Sequence, residues 1–289
     1  ARIIQVDADA RVLGLVKGIS VGINGDARAA SAALIERLTG RSLACMANST
    51  ERQAKIAAEK GAWEQELSAW THERDPYSLE VAKGSKLMHP RQMLRELEKA
   101  MPKHAMVSTD IGNICSISNS YLRFDEPRSM FAAMSFGNCG YAFPVACGAK
   151  IAAPDRPMIA YVGDGAWGIS LNELLTCARE KIGVTVVVFN NGQWGAEKKN
   201  HVDFYSQRFQ AVDLVSPSWA GVAKAFGCEG VTVDKLSDVG PALQASVQAQ
   251  SAGKTTILEM MVTRELGDPF RRDALSKPVR YLDKYKAYT

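Results

Sequence analysis

Two polar side chains, Asp164 and Asn191, each follow a strongly apolar segment that has the pattern of a buried strand. Asp164 lies in Gly163-Asp164-Gly165, directly after the segment 158–162, and Asn191 comes 27 positions later, after the segment 184–189. Parallel sheets bind ligands at the edge where the carboxyl ends of their strands meet. Carboxylate and amide oxygens suit Mg²⁺, and glycines with a following helix N-terminus suit phosphate. The spacing therefore predicts a site for a magnesium diphosphate.

Gly-Asp-Gly alone is typical of a turn, but its combination with a strand, a helix, a second strand and Asn-Asn is more specific. This combination resembles the diphosphate motif of thiamine diphosphate (ThDP) enzymes. The resemblance implies that the side chains of Asp164 and Asn191 and the main-chain carbonyl of Gln193 bind Mg²⁺. It also implies that Gly163, Gly165 and Ala166 lie beside the diphosphate. The alternative is a pair of structural turns in an unrelated α/β fold.

The segment 135–149 (SFGNCGYAFPVACGA) resembles the acetohydroxyacid synthase group of the same superfamily, in which this stretch holds the aminopyrimidine. The resemblance implies that the Gly137 carbonyl accepts a hydrogen bond from the 4′-amino group, with Asn138 and Cys139 beside it. Cys139 stands where the family has a larger apolar residue, which is a departure from its pattern. We expect Cys139 to have a packing role rather than a redox role.

Three further stretches, 108–124, 190–209 and above all 264–288, resemble the sulfoacetaldehyde acetyltransferases within this superfamily. This resemblance implies conversion of sulfoacetaldehyde and inorganic phosphate into acetyl phosphate and sulfite, as in taurine degradation. Two alternatives stay open. One is another ThDP enzyme, such as an acetolactate synthase or a 2-oxo acid decarboxylase. The other is a fragment that binds Mg-ThDP without turnover.

Both implied substrates are anions, so their pocket needs cationic groups. Arg271 and Arg272 are the candidates, because the planar guanidinium matches three-oxygen anions such as sulfonate and phosphate. Lys198 and Lys199 are further candidates. The alternative for adjacent arginines is a solvated face or pairing with neighbouring acidic residues.

The fold class predicted from the element pattern is α/β, a doubly wound parallel sheet preceded by the tail of a second α/β domain. Apolar segments at 105–108, 158–162, 184–189 and 255–262 predict strands buried on both faces. Helical patterns lie at 90–100, 140–153, 172–181, 219–226 and 239–251. We predict a central-domain tail at 1–40, a helical linker at 41–87 and a diphosphate-binding domain at 88–289.

The first 40 residues predict two strands, 2–7 and 17–21, and a helix, 27–38, which together are too few to build an independent core. We therefore expect the chain to be a C-terminal fragment. The resemblance implies that the preceding pyrimidine-binding domain carries the family's catalytic glutamate. It also implies a homodimer or homotetramer for the intact protein, with the cofactor between subunits.

Composition excludes several classes of function. The chain has 289 residues, 35 basic against 31 acidic, which gives no electrostatic case for nucleic acid. No apolar run approaches the roughly 20 residues of a membrane span, and no export signal is visible. The six cysteines form no CxxC pair and the four histidines no HxxxH or HxH pair, which argues against zinc and favours reduced thiols in a cytoplasmic protein.

Overall fold

The computed structural model describes residues 2–41, 49–72, 85–134 and 136–265. Its contacts divide the described chain into two compact units, one ending at Trp63 and one beginning at Glu64. The division falls within a long helix, α2 (Ser49–His72). The predicted domain limits at 40 and 87 stay predictions.

The first unit contains two parallel strands, β1 (Ile4–Asp7) and β2 (Val21–Asn24), and helix α1 (Ala27–Leu38). The second strand therefore lies later than the predicted 17–21. The parallel register pairs Ile4 with Val21 and Asp7 with Asn24, so β2 can begin only where β1 offers a partner. Asp26 begins α1, because its side chain accepts a hydrogen bond from the amide of Ala29.

The second unit is built on a six-stranded, wholly parallel sheet in the order β4-β3-β5-β6-β8-β7. Its strands are β3 (Met106–Thr109), β4 (Met130–Ala132), β5 (Met158–Gly163), β6 (Thr185–Asn190), β7 (Glu229–Val233) and β8 (Thr256–Met261). Its helices after α2 are α3 (Pro90–Ala100), α4 (Asn113–Ser118), α5 (Ala142–Ala152), α6 (Asp164–Ser170), α7 (Leu174–Glu180), α8 (Gly195–Phe204), α9 (Trp219–Ala225) and α10 (Leu236–Ala249). The predicted parallel α/β sheet is confirmed.

Both faces of the central strands are covered, which is why their sequences are apolar without alternation. On β6, Val186 and Val188 belong to the main buried cluster, while Val187 and Phe189 point to the opposite face and are also buried. The four predicted strands of this sheet correspond to β3, β5, β6 and β8. Strands β4 and β7 were not predicted, because they are short edge strands with partly exposed residues.

The sheet has a switch point between β3 and β5. The chain passes from β3 outward to β4 and then returns to the other side of β3 to form β5. The loops after β3 and β5 therefore diverge at the carboxyl edge and leave a crevice, which is where open α/β sheets bind ligands. Among the described residues, no helix is long and apolar enough to cross a membrane.

Candidate functional site

A pocket lies at this switch point and is lined by the segments that follow β3, β5 and β6. Seven predicted site residues line it: Cys139, Gly163, Asp164, Gly165, Ala166, Asn191 and Gln193. The register explains their meeting, because Gly163 pairs with Phe189, so Asp164 and Asn191 both leave the sheet just beyond that pair. The structure thus brings Asp164 and Asn191 to one edge, as the spacing predicts.

Asp164 is the first residue of α6, and its side chain is buried. One carboxylate oxygen, Oδ2, accepts a hydrogen bond of 2.7 Å from the amide of Gly192, and the other accepts one of 2.9 Å from Gly165. Burial raises the pKa of the Asp164 carboxyl to about 6, although these amide donors act to lower it. The carboxylate is therefore held between two loops and is mostly ionised at neutral pH.

Asn191 and Gln193 are also buried. The side-chain amide of Gln193 donates to the carbonyl of Arg264 at 3.0 Å, which leaves its Oε1 without a partner among the described residues. Gln193 faces Asp213 in an antiparallel bridge. The two hydrogen bonds of this bridge are donated by the amides of Trp194 and Leu214 to the carbonyls of Val212 and Gly192. The main-chain carbonyl of Gln193 is therefore not used by this bridge.

The glycines on either side of Asp164 have different surroundings. A Cβ on Gly165 would lie 2.7–2.9 Å from the Trp194 ring, so only glycine lets this ring pack on the backbone. A Cβ on Gly163 would meet nothing within 4 Å, although Gly163 lines the pocket. The position of a Cβ on Gly163 is thus open space.

The loop before α5 carries the predicted aminopyrimidine contacts. Gly137 has φ +77°, which favours glycine, and its amide donates to the carbonyl of Ala133 at 2.9 Å. Gly137 and Asn138 are exposed, whereas Cys139 is half-buried and borders the pocket. Burial raises the pKa of the Cys139 thiol above its usual value, which fits a packing role better than a reactive one.

Asp110, a residue that the sequence analysis missed, fixes this loop. Its buried carboxylate accepts hydrogen bonds from Gly140 at 3.0 Å, Ala142 at 2.9 Å and its neighbour Ile111 at 2.9 Å. Burial raises the pKa of Asp110, and the amide donors act against that rise. An acidic residue directly after the β3 segment was the available signal, because polar groups at strand ends face the binding edge.

The predicted anion contacts are only partly described. Arg271 and Arg272 lie outside the described residues. Lys198 is buried and pairs with Asp213 at 2.9 Å, and Lys199 pairs with Asp203.

The donor set fits a magnesium diphosphate rather than a metal held by protein alone. The described residues contain no group of three His, Cys, Asp or Glu side chains that could hold a metal ion. One carboxylate, one amide oxygen and one main-chain carbonyl leave half of an octahedron for phosphate oxygens and water, as Mg²⁺ prefers. The unpartnered Oε1 of Gln193 and the open space beside Gly163 also fit a polar ligand in the pocket.

Comparison with known proteins gives the family. The family model described as "Thiamine pyrophosphate enzyme, C-terminal TPP binding domain" matches residues 110–260, just over half of the chain. The chain is 63% identical over 295 residues to a sulfoacetaldehyde acetyltransferase of Castellaniella defragrans, covering 100% of this chain and 49% of the relative. A protein of the same name from Roseovarius nubinhibens is 44% identical, with coverage of 96% and 47%.

Two further similarities are more distant. An acetolactate synthase large subunit of Corynebacterium glutamicum is 28% identical, covering 84% of this chain and 38% of the relative. The structure resembles a thiamine diphosphate-dependent 4-hydroxybenzoylformate decarboxylase of Rhodococcus jostii RHA1 with a TM-score of 0.66 and 19% identity, covering 91% of this chain and 44% of that one. This last likeness concerns the fold alone. The chain spans about half the length of the curated relatives it matches. It belongs to the thiamine pyrophosphate enzymes and contains their C-terminal thiamine pyrophosphate-binding domain.

Proposed function

We propose that the whole protein is a ThDP- and Mg²⁺-dependent acyltransferase that converts sulfoacetaldehyde and phosphate into acetyl phosphate and sulfite. The observation that carries this proposal is the 63% identity, along the whole chain, to a protein named sulfoacetaldehyde acetyltransferase. The 28% identity to an acetolactate synthase large subunit is much lower, which favours the acetyltransferase over the synthase.

In this proposal the chain supplies the metal- and diphosphate-binding half of the site. Asp164, Asn191 and the main-chain carbonyl of Gln193 hold Mg²⁺, and Gly163, Gly165 and Ala166 border the diphosphate. Two observations support this assignment: two amides fix the Asp164 carboxylate before any ligand arrives, and the bridge to Asp213 fixes Gln193 without using its main-chain carbonyl. Such preorganisation lowers the entropic cost of binding.

Thiamine diphosphate, when bound, supplies the carbon nucleophile and the electron sink that cleavage of a carbon–sulfur bond beside a carbonyl requires. The chain's own residues position and shield it. Asp110 holds the amides of Gly140 and Ala142, directly after Gly137, Asn138 and Cys139, which in this proposal border the aminopyrimidine. Trp194 packs on Gly165 and borders the same pocket, so it keeps water from that side of the site.

Recognition of the two anionic substrates falls to Arg271 and Arg272 in this proposal. Lys198 and Lys199 are less suitable, because Asp213 and Asp203 already neutralise them. A guanidinium can donate two parallel hydrogen bonds to a sulfonate or phosphate, which an ammonium cannot.

We also propose that the whole protein is a cytoplasmic homodimer or homotetramer. Met134 and Phe136, next to the aminopyrimidine loop, are 74% and 90% exposed, which is unfavourable for an isolated chain. The five described cysteines are free thiols, as expected in a reducing compartment. Light scattering after size-exclusion chromatography measures the assembly: two or four chains per particle support the proposal, and a monomeric whole protein contradicts it.

The central experiment has two parts. The first titrates the 289-residue chain with ThDP in Mg²⁺ or in EDTA by calorimetry; we expect binding only with Mg²⁺ and none for Asp164→Ala. The second measures sulfite release by the whole protein; we expect it to require sulfoacetaldehyde, phosphate and Mg-ThDP together. Turnover of pyruvate without sulfite release would assign the whole protein to the synthases or decarboxylases, and absence of Mg-ThDP binding to both chain and whole protein would refute the cofactor assignment.

A further inference from the structure

Glu259, near the middle of β8, is a carboxylate buried to 2% exposure within the sheet. Its Oε1 accepts hydrogen bonds from the side chain of Asn190 at 2.9 Å and from the amide of Trp219 at 3.0 Å. Its Oε2 accepts from Ser218 at 3.3 Å, Ala220 at 3.2 Å and Thr232 at 3.0 Å. No lysine or arginine of the described residues forms an ion pair with it.

A carboxylate in this position is costly unless all its lone pairs are used. An apolar residue would serve a strand buried on both faces equally well, as the neighbouring Leu258 and Met260 do. The five donors come from three different elements, the end of β6, the start of α9 and strand β7. Glu259 therefore fixes these elements relative to one another in addition to filling the core.

The sheet register explains why Asn190 reaches Glu259. Glu259 lies opposite Val188 on β6 and opposite Thr232 on β7. Asn190 is two residues beyond Val188 on the same face, so it is the diagonal neighbour of Glu259. The hydrogen bond thus holds the last residue of β6, at the point where the chain leaves the sheet.

Asn190 begins the segment Asn190–Gln193, which we call the NNGQ segment. It contains the two proposed metal ligands Asn191 and Gln193, and the Gly192 amide that binds Asp164. Position and orientation of this segment depend on where β6 ends. We propose that Glu259, acting through Asn190, is a positioning residue that sets the geometry of the NNGQ segment and thereby its affinity for Mg²⁺. This inference rests on the proposed cofactor site.

The test compares two variants that each remove one donor to Glu259 and replace it with an apolar side chain of similar size. Asn190→Leu removes the donor next to the proposed metal ligands, and Thr232→Val removes the donor on the opposite strand. We expect both to lower the urea midpoint of the chain. We expect only Asn190→Leu to raise the Mg²⁺ concentration for half-maximal ThDP binding, by tenfold or more, whereas Thr232→Val changes it less than twofold.

A second measurement does not need the cofactor. Hydrogen exchange of the Gly192 amide in the unliganded chain, followed by mass spectrometry, reports whether the NNGQ segment is held in place. We expect Asn190→Leu to accelerate this exchange at least tenfold and Thr232→Val to leave it unchanged. Equal exchange in the two variants, or equal Mg²⁺ requirements, would show that Glu259 only stabilises the fold and would overturn the proposal. If neither the wild-type chain nor the whole protein binds Mg-ThDP, the proposed function is refuted instead, while the exchange rates still decide the positioning role.

Discussion

The space beside Gly163 provides a sharp test of the proposed diphosphate position. An added Cβ there meets no atom within 4 Å, and the backbone of Gly163, with φ −72° and ψ 154°, suits any L-residue. Gly163→Ala therefore introduces no strain into the unliganded chain. We expect its free energy of unfolding to stay equal or to rise by about 0.4–1 kcal/mol, because alanine restricts the unfolded chain.

Gly163→Ala should, by contrast, weaken the binding of Mg-ThDP. If the diphosphate lies against Gly163, the new methyl group occupies its space, and overpacking of this kind costs about 1–3 kcal/mol. At about 1.4 kcal/mol for each tenfold change, the dissociation constant should rise about 5- to 150-fold. Urea unfolding measures the first quantity, and calorimetric titration with ThDP at saturating Mg²⁺ measures the second.

Gly148 supplies the matched control. It also has no atom within 4 Å of an added Cβ, but it lies on α5 and does not line the pocket. Gly148→Ala should stabilise the chain by about 0.5–1 kcal/mol, since alanine is the better helix former, and should leave ThDP binding unchanged. If Gly163→Ala binds Mg-ThDP as tightly as Gly148→Ala, the cofactor does not approach Gly163 and the reasoning fails.

Three further predictions concern the same pocket. Asp164→Asn removes the carboxylate and should abolish Mg²⁺-dependent ThDP binding. Because burial raises the pKa of Asp164 from 3.8 to about 6, its ionisation opposes folding increasingly as pH rises between these values. The unfolding free energy of Asp164→Asn should therefore rise, relative to that of the wild-type chain, by on the order of 1 kcal/mol between pH 5 and pH 8. A constant difference in urea stability across this range would contradict the burial argument. Asp110→Ala leaves the amides of Gly140 and Ala142 without an acceptor, so it should lower the unfolding free energy, measured in urea, by about 2–4 kcal/mol. A change below about 0.5 kcal/mol would mean that contacts other than Asp110 hold the loop. Because burial raises the pKa of the Cys139 thiol, we expect slow alkylation at pH 8, which Mg-ThDP should slow further. Cys139→Ser identifies its signal by mass spectrometry, and alkylation unaffected by Mg-ThDP would place the cofactor away from this loop.

Local patterns in the sequence predict the centre of the fold well. Strands β5 and β6 are mostly apolar, with the polar residues Thr185 and Asn190 only at the two ends of β6, and they are buried on both faces, so their sequences differ clearly from those of amphipathic helices. The edge strand β7 has the exposure of a half-buried strand and begins with Glu229, which gives a weaker pattern. Helix α8 follows the NNGQ segment without an apolar periodicity and was also missed.

The site residues also differ in how far local sequence patterns predict them. Asp164 and Asn191 could be predicted because each directly follows its own strand, and parallel pairing of the two strands brings their carboxyl ends to the same edge of the sheet. Asp110 and Glu259 could not be assigned a role in this way, because their partners are distant in sequence. The hydrogen bonds of Asp110 reach 30 and 32 residues along the chain, and the bond from Asn190 to Glu259 spans 69. Glu259 is the single charged residue in the segment Thr256–Met261, which marks it as unusual but does not identify its partners.

The buried carboxylates explain why a cation should be obligatory for an anionic ligand at this edge. Asp110, Asp164 and Glu259 are all buried, and within the described residues their hydrogen-bond donors are amides and hydroxyls without a lysine or arginine ion pair. Amide donors stabilise a carboxylate but add no net positive charge, so the Asp164 carboxylate itself remains anionic. A diphosphate brought to Asp164 alone would meet like charge in a medium of low effective dielectric constant. A divalent cation between the carboxylate and the diphosphate reverses the sign of that interaction, and the single carboxylate in the proposed ligand set leaves enough positive charge on the ion to hold the phosphate oxygens.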